Sequence, residues 1–197
     1  MILHSARLLL ISEYHLYREH LLELDDNSRQ LRFGIPTSDH NINHFCDKIE
    51  ANPDQHIIFG IFGDQLQLVG VGHVATGSLY ELAFSVLLPY QRNGMGTVLF
   101  DCMSTWCINR GHHRAYMVCL SNNTAVRKIA AKYATIMHTT YGETEANLEF
   151  PWATPISILD EVLSTNIAYF DFFTKNVSLN TKQLMGEFNG TSNKDFY

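Results

Sequence analysis

The sequence predicts an α/β fold: a mixed sheet of about six to seven strands, flanked by about four helices and followed by a C-terminal helical extension. Three observations predict this fold. Short apolar runs between turn residues alternate with longer segments of helical periodicity. A glycine-containing turn joins one such run to a helix near the middle of the chain. A composition with 46% hydrophobic and 17% charged residues supplies a sizeable core.

The elements are expected in the order β-α-α-β-β-β-α-β-α-β-β. Asp25-Asp26-Asn27-Ser28 is interpreted as the end of the first helix. The crossovers around the two later helices are expected to join parallel neighbouring strands. The expected elements are strand 7–11, helix 13–24, helix 38–50, strands 56–62, 66–75 and 80–88, helix 97–110, strand 115–120, helix 123–133, and strands 136–140 and 146–150.

The character of the chain changes after residue 152. We therefore expect one domain over residues 1–152 and a C-terminal extension over residues 153–197. Residues 155–177 carry an apolar stripe at helical spacing, whereas residues 176–197 are polar and are expected to be poorly ordered. The stripe would pack either on the domain or on a second chain, and the latter would give a homodimer through the C-terminal helix.

The composition and charge of the chain favour some classes of binding partner and argue against others. A net charge of −6 argues against a general nucleic-acid binder and is compatible with an amine-bearing partner. No apolar run approaches the ~18 residues of a membrane span. The four cysteines show no Cys-x-x-Cys pairing, which favours buried free thiols in the cytoplasm. His40 and His44 lack further ligands at a metal-binding spacing, so no metal is expected.

The segment from Gln91 to Gly96 follows an apolar strand and opens a helix. A strand, a glycine turn and a helix together present backbone N–H groups and the positive end of a helix dipole to an anion. The segment is not the dinucleotide pattern G-x-G-x-x-G, and no Gly-Lys-Ser/Thr follows to make a P-loop. A tight turn without any ligand is the alternative explanation of Gly94 and Gly96.

The spacing resembles Gln/Arg-x-x-Gly-x-Gly/Ala, the pyrophosphate-binding signature of the GNAT superfamily of N-acetyltransferases. Leu31-Arg32-Phe33 and the helix that follows Asn123 resemble the ribosomal-protein and protein-lysine acetyltransferase branches of this superfamily. Together these segments follow the family order over residues about 7 to about 150. The resemblance implies the GNAT fold and acetyl-CoA as the acyl donor.

The resemblance also implies positions for acetyl-CoA. The pantetheine arm would pair with the strand backbone at Phe84, Ser85 and Val86. Asn123 corresponds to an asparagine that contacts CoA in the family, and a helix N-cap is its alternative role. The pyrophosphate would meet the turn formed by Gln91, Arg92, Asn93, Gly94, Met95, Gly96 and Thr97.

Acetyl transfer to an amine requires a base, because a lysine-type amine has a pKa of about 10.4. Glu81, a carboxylate in an otherwise apolar strand, is the candidate base. Alternatively, Glu81 faces solvent or attracts a cationic substrate. His73 is the second candidate base. Ala130 occupies the position of the family's acid tyrosine, so Tyr133 and Tyr141 are the candidate acids.

The sequence thus predicts an acetyl-CoA-dependent N-acetyltransferase. The acceptor would be a primary amine of a small molecule or a protein, acetylated directly in a ternary complex. The absence of tyrosine at position 130 leaves one rival from another class, a non-catalytic acyl-CoA-binding regulatory or interaction module of the same fold.

Overall fold

A computed structural model of the chain describes residues 4–191. Its strands are β1 (Arg7–Leu8), β2 (His56–Phe62), β3 (Leu68–Ala75), β4 (Tyr80–Val86), β5 (Arg114–Leu120), β6 (Ala134–Thr140) and β7 (Glu143–Glu149). Its helices are α1 (Tyr14–Glu23), α2 (Asp26–Phe33), α3 (Asp39–Ala51), α4 (Met95–Asn109), α5 (Thr124–Ala130) and α6 (Pro155–Thr191). The strands form a seven-stranded mixed sheet, which confirms the predicted fold class.

The strands lie side by side in the order β1-β2-β3-β4-β5-β7-β6. Within residues 4–191, β4 and β5 are the only parallel neighbours, and α4 connects them as predicted. The connection from β5 to β6 through α5 was also expected to join neighbouring strands. This expectation is wrong, because β7 lies between β5 and β6 and pairs with both. β7 buries Thr144, Ala146 and Leu148, which suits an interior strand, whereas β6 is mostly exposed at the edge.

Helices cover both faces of the sheet and enclose a separate core on each. On one face, α1 and α3 pack against the strands through residues that include Tyr17, Leu21, Ile42, Ile49 and Val71. On the other face, α4 forms the centre of a core that includes Leu82, Leu99, Phe100, Met103 and Met117. Glu81 alternates with Leu82 along β4 and therefore lies on the face covered by α1.

The helix α2 is absent from the sequence-based prediction. The acidic segment does end α1, but it also begins a new helix. The Asp25 carboxylate accepts hydrogen bonds from the Ser28 N–H at 3.1 Å and from the Ser28 hydroxyl at 2.6 Å. An aspartate at this position satisfies N–H groups that a helix start leaves free. Gly34, with a φ of +79°, ends the helix.

The first strand is shorter than predicted, since β1 ends at Leu8. The Arg7 guanidinium pairs with the Glu13 carboxylate at 2.6 Å, and that carboxylate also accepts from the Leu10 N–H at 2.8 Å. The chain therefore bends back at Leu10 and passes through a short 3-10 turn before α1. The Leu9 N–H still donates to the Ile58 carbonyl of β2 at 2.8 Å, and the bend removes the residues after Leu9 from the sheet.

The expectation of poor order over residues 176–197 is wrong for residues 176–183, which continue the helix α6 (Pro155–Thr191). Polar side chains in this segment bond one turn back along the helix. The Asn180 amide, for example, donates to the Asn176 side-chain oxygen at 2.8 Å. Residues 192–197 lie outside the described residues.

The cysteines are free thiols, as predicted, and three of the four are buried. Burial raises the pKa of Cys46 and of Cys102 to about 11, so both thiols stay protonated near neutral pH. Within residues 4–191, no three His, Cys, Asp or Glu side chains are grouped so that they could hold a metal ion. None of the helices in that range has the length and apolar content needed to cross a membrane.

Candidate functional site

β4 and β5 separate from each other partway along their length. Their parallel pairing joins only Tyr80 to Ala115 and Glu81 to Tyr116. The other edge of β4 stays paired with β3 as far as Val86. Among the described residues, the edge of β4 that faces β5 therefore has no strand partner beyond Glu81. Backbone N–H and C=O groups on such an edge can pair with an extended ligand as they would with a strand.

The gap between the two strands leads into a cleft of about 830 Å³, bounded by α2, the end of β4, the start of α4, and α5. This volume is typical of small-molecule sites. Asn93 is exposed in the turn and does not belong to the cleft wall. The other residues predicted to bind the acyl donor do line it, namely Phe84, Ser85, Val86, Gln91, Arg92, Gly94, Met95, Gly96, Thr97 and Asn123.

The turn before α4 exposes the N-terminus of that helix to the cleft. Gly94 is the N-cap residue and has a φ of +82°. The N–H groups of Met95 and Gly96 belong to the first turn, where a helix supplies no partner of its own. The helix dipole adds partial positive charge at this end. The arrangement is suited to an anion such as a phosphate.

The two glycines of the turn are needed for different reasons. Gly94 adopts the left-handed conformation, and a Cβ added there would meet nothing within 4 Å. A Cβ added at Gly96 would lie 3.0 Å from the Phe84 ring and 3.3 Å from Ile129. Gly96 therefore permits α4 to pack closely on β4 and α5, a role that the sequence-based interpretation did not include.

Two polar side chains of the cleft wall hold neighbouring elements in place. The Gln91 amide donates to the Val86 carbonyl at 2.9 Å and to the Ser28 hydroxyl at 3.2 Å, which connects the turn to β4 and α2. The Asn123 side-chain oxygen accepts from the Val126 N–H at 3.2 Å and thereby caps α5. Asn123 thus has the structural role considered from the sequence, and it also lines the cleft.

Basic side chains line the cleft although the protein has a net charge of −6. Arg32 and Lys128 were not predicted as site residues, and both belong to the wall together with Arg92. Lys132 also lines the cleft, but it pairs with Asp101 at 2.6 Å, and this hydrogen bond raises the pKa of the lysine. The sequence does contain a signal that would have identified Lys128, because basic residues follow Asn123 closely in α5.

Glu81 lies half-buried where β4 and β5 separate. The Tyr116 hydroxyl on β5 donates to its Oε2 at 3.1 Å. Burial, followed by the nearby Glu81 carboxylate, raises the pKa of Tyr116, which keeps the phenol protonated. The sequence-based prediction missed Tyr116, because the register that pairs it with Glu81 is formed only in the assembled sheet.

The two tyrosines predicted as acids lie elsewhere. The ring of Tyr133 packs against those of Phe100 and Phe150, at centroid distances of 6.1 and 5.4 Å. Tyr141 is fully exposed at the turn between β6 and β7. Neither residue belongs to the cleft wall, and Glu81 and Tyr116 also lie outside it.

His73, the second candidate base, is buried within a chain of hydrogen bonds. Arg32 donates to the Tyr17 hydroxyl at 3.2 Å, and that hydroxyl lies 3.4 Å from His73 Nδ1. The other ring nitrogen, Nε2, lies 3.0 Å from His56 Nδ1. Burial holds the pKa of His73 well below its ordinary value, so the ring is neutral near pH 7. Both of its nitrogens already have partners.

No family model and no curated protein matches the sequence. Solved structures do match the fold. The GNAT domain of S. lividans PAT matches with a TM-score of 0.60 and 14% identity, covering 75% of this chain and 90% of that domain. The chain has the GNAT fold. At such identities the likeness concerns the fold alone.

Two further proteins illustrate how widely this GNAT fold is shared. PaiA N-acetyltransferase from Thermoplasma acidophilum, solved in complex with coenzyme A, matches with a TM-score of 0.54 and 13% identity over 74% of this chain and 99% of its own. A ribosomal-protein-S5-alanine acetyltransferase from Vibrio fischeri matches with a TM-score of 0.55 and 11% identity over 77% and 96%. Each match leaves about a quarter of this chain uncovered.

Proposed function

We propose that the protein is an N-acetyltransferase that moves an acetyl group from acetyl-CoA to a primary amine. One observation carries this proposal: the free edge of β4 continues into a cleft at the N-terminus of α4. The free edge suits the two amides of a pantetheine arm, and the helix N-terminus suits a pyrophosphate. Two of the matching structures are named as acetyltransferases, and one of these was solved with coenzyme A, which supports acyl transfer in general.

The acyl donor would lie along β4 and end at α4. Backbone groups of Phe84 to Val86 would pair with the pantetheine arm. The backbone N–H groups of residues 92–97 would bind the pyrophosphate, and Asn123 would contact the donor from the opposite wall. Arg32 and Lys128, both on the cleft wall, would add positive charge near the phosphates. No metal ion is required for these contacts.

Transfer would begin with removal of a proton from the acceptor ammonium by Glu81, directly or through a water molecule. The neutral amine then attacks the acetyl carbonyl carbon, and backbone N–H groups of the free β4 edge stabilise the oxyanion. Collapse of the tetrahedral intermediate breaks the carbon–sulfur bond. The released thiolate takes a proton, and the attacking nitrogen loses its second proton, which leaves a neutral amide that carries the acetyl group.

Tyr116 is our candidate for the acid that protonates the thiolate. Its hydroxyl lies 3.1 Å from the Glu81 carboxylate at the closed end of the gap, and its raised pKa keeps the proton available. Tyr133 and Tyr141, the candidates from the sequence, stay as alternatives that the experiment must include.

Glu81→Gln is expected to lower kcat/KM by about 10²–10⁴, the usual contribution of a general base. The measurement is release of free CoA thiol with a panel of primary amines across pH. Glu149→Gln is the matched control, since Glu149 is exposed at the end of β7, outside the cleft wall. An unchanged pH–rate profile in Glu81→Gln would remove Glu81 from the mechanism.

Tyr116→Phe is expected to lower kcat and to abolish the fall in rate at high pH, because that fall reports loss of the acid's proton. Tyr133→Phe and Tyr141→Phe are assayed beside it and are expected to keep the alkaline limb of the wild-type profile. Loss of that limb in either of them, and not in Tyr116→Phe, would restore the assignment made from the sequence.

A second candidate function is a non-catalytic acyl-CoA-binding module of the same fold. The observation that favours it is the buried Ala130, 1% exposed, at the position that the family gives to a tyrosine. This module would bind acetyl-CoA as tightly as an enzyme does and would acetylate none of the amines offered. The same assay, combined with a binding measurement, therefore separates the two functions.

A further inference from the structure

Between residues 157 and 175, the helix α6 contacts the domain along one side. The ring of Phe172 packs 4.8 Å from that of Phe62, and Lys175 donates to the Phe62 carbonyl at 2.8 Å. Nearer the start of the helix, Glu161 pairs with Arg110 at 2.8 Å. These contacts fix which face of α6 points away from the domain.

The outward face of α6 carries apolar residues at heptad spacing. The steps along it alternate between three and four residues, which is the repeat of a left-handed coiled coil. With Ile156 at position a, the a and d positions hold Ile156, Leu159, Leu163, Asn166, Phe170, Phe173, Val177 and Asn180. We call these residues the α6 stripe. Its apolar members are 46–71% exposed, so the domain does not cover them.

The docked side lies opposite the stripe. Glu161 and Lys175, which contact the domain, both occupy position f of the heptad. So does Ala168, which is only 3% exposed. Position f lies across the helix from the a and d positions. One helix therefore presents one face to its own domain and leaves the opposite face exposed.

Several features indicate that a second copy of the chain covers the stripe. α6 has 37 residues and is about 55 Å long. Helices longer than about 25 residues are typical of coiled coils, membrane spans and helical repeats. The chain shows no internal repeat, and the heptad spacing of the stripe is that of a coiled coil.

The charges around the stripe also favour a second copy. Between residues 156 and 180, the flanking e and g positions contain one charged residue, Asp160. Lys175 is the one Lys or Arg between residues 156 and 180, and it contacts the domain, so this part of the helix lacks the basic residues that attach helices to anionic lipid headgroups. This face offers no complement to a charged partner protein either. An identical neutral face can meet it with little repulsion.

We propose that the α6 stripe pairs with the α6 stripe of a second copy in a parallel two-stranded coiled coil. In a parallel pair, each a or d residue meets its own counterpart, so Asn166 and Asn180 each form amide–amide layers. In an antiparallel pair, a positions face d positions, and both amides would face apolar side chains without a partner. Unpaired buried amides are unfavourable, and a polar residue in the seam is known to specify register.

The pairing is tested by the mass of the protein in solution, measured by light scattering after size exclusion. Wild type is expected at about twice the chain mass of 22.5 kDa. Leu163→Glu/Phe170→Glu is expected at the chain mass, because two carboxylates per helix would enter the seam. Ser164→Glu/Ser178→Glu, at exposed b positions of the same helix, adds equal charge and is expected to stay dimeric.

Far-UV circular dichroism checks that each variant keeps its helix content. A wild type of single-chain mass at tens of micromolar, or a dimeric Leu163→Glu/Phe170→Glu variant, would overturn the proposal. Acetyl-CoA binding is expected to be equal in all three proteins, since the stripe lies outside the cleft wall. Failure of the dimer is thus distinguishable from failure of the proposed function.

Cysteine cross-linking tests the orientation. Asn166→Cys and Asn180→Cys are prepared separately, and wild type under the same oxidant controls for the native thiols. Both variants are expected to form covalent dimers if the helices are parallel. The two sites are about 21 Å apart along the helix, so an antiparallel pair would bring at most one of them to its counterpart. Cross-linking of only one variant, or of neither, would overturn the parallel register.

Discussion

Alanine at Gly94 or Gly96 is expected to destabilise the fold for two separate reasons. Gly94 has a φ of +82° and open space around it, so Gly94→Ala would introduce about 1–2 kcal/mol of backbone strain. Gly96→Ala would place a Cβ 3.0 Å from the Phe84 ring, and such overpacking costs about 1–3 kcal/mol. Urea unfolding measures both losses in the free energy of unfolding.

Asparagine distinguishes the two reasons. It tolerates the left-handed region better than alanine does, so Gly94→Asn is expected to be more stable than Gly94→Ala. At Gly96 the larger side chain increases the clash, so Gly96→Asn is expected to be less stable than Gly96→Ala. The same ranking of alanine and asparagine at both positions would contradict this account of the turn.

At the scale of single residues, the sequence identifies individual functional side chains better than it identifies which side chains hydrogen-bond to each other. Glu81 stands out because a carboxylate interrupts an apolar strand, and Asn123 stands out because it precedes a helix. Tyr116 shows no such contrast with its neighbours. Its significance comes from the hydrogen bond to Glu81, which depends on a parallel register between strands 35 residues apart in the chain.

At the scale of elements, one buried histidine joins α1 to the sheet. His20 is 1% exposed, donates from Nδ1 to the Leu68 carbonyl at 2.8 Å, and accepts at Nε2 from the Ser85 hydroxyl at 2.9 Å. Burial lowers the pKa of His20 to about 4. The ring is therefore neutral in the folded protein under conditions in which the unfolded chain would protonate it.

The free energy of unfolding is expected to fall as the pH drops from about 6.5 to about 4. Above pH 6.5 His20 is neutral in both states, and below it only the unfolded chain takes up the proton. This pKa shift corresponds to a loss of up to about 3 kcal/mol. Urea titrations at pH 7 and pH 4.5 should show a smaller loss in His20→Gln than in wild type.

His15→Gln is the control for this experiment. His15 lies on the same helix but is exposed, so His15→Gln makes the same substitution without changing the buried site of His20. His73 remains in all three proteins and contributes equally to each. An equal loss of stability in His20→Gln and wild type would show that His20 is not the group responsible.

Helices and strands with a strong apolar pattern were predictable from the sequence. Features that depend on helix capping or on the assembly of the sheet were not. α4 and the hairpin of β2 and β3 carry such patterns. α2 is mostly polar and exists because Asp25 caps its start and Gly34 ends it. The place of β7 between β5 and β6 was unpredictable for a different reason. Strand order depends on how the whole sheet assembles. The local sequence of β7 predicts only a strand that alternates between buried and exposed residues.

At the scale of the whole molecule, the positive cleft contrasts with the acidic chain around it. Arg32, Arg92 and Lys128 line a cleft that also receives the N-terminus of α4. A net charge of −6 would repel an anionic ligand at long range, so binding would depend on these local groups. Arg32 and Lys128 were not predicted as site residues, because the sequence does not show that α2 and α5 bring them to the same opening.

Calorimetric titration of acetyl-CoA tests most directly the claim that this cleft holds the acyl donor. Thr97 is exposed and lines the cleft at the start of α4, so Thr97→Trp would fill the site without disturbing the core. Thr140→Trp, at an exposed position of β6 outside the cleft wall, is the control. We expect equal Kd values for wild type and Thr140→Trp and at least about tenfold weaker binding to Thr97→Trp. No binding to wild type, or an unchanged Kd in Thr97→Trp, would contradict the claim.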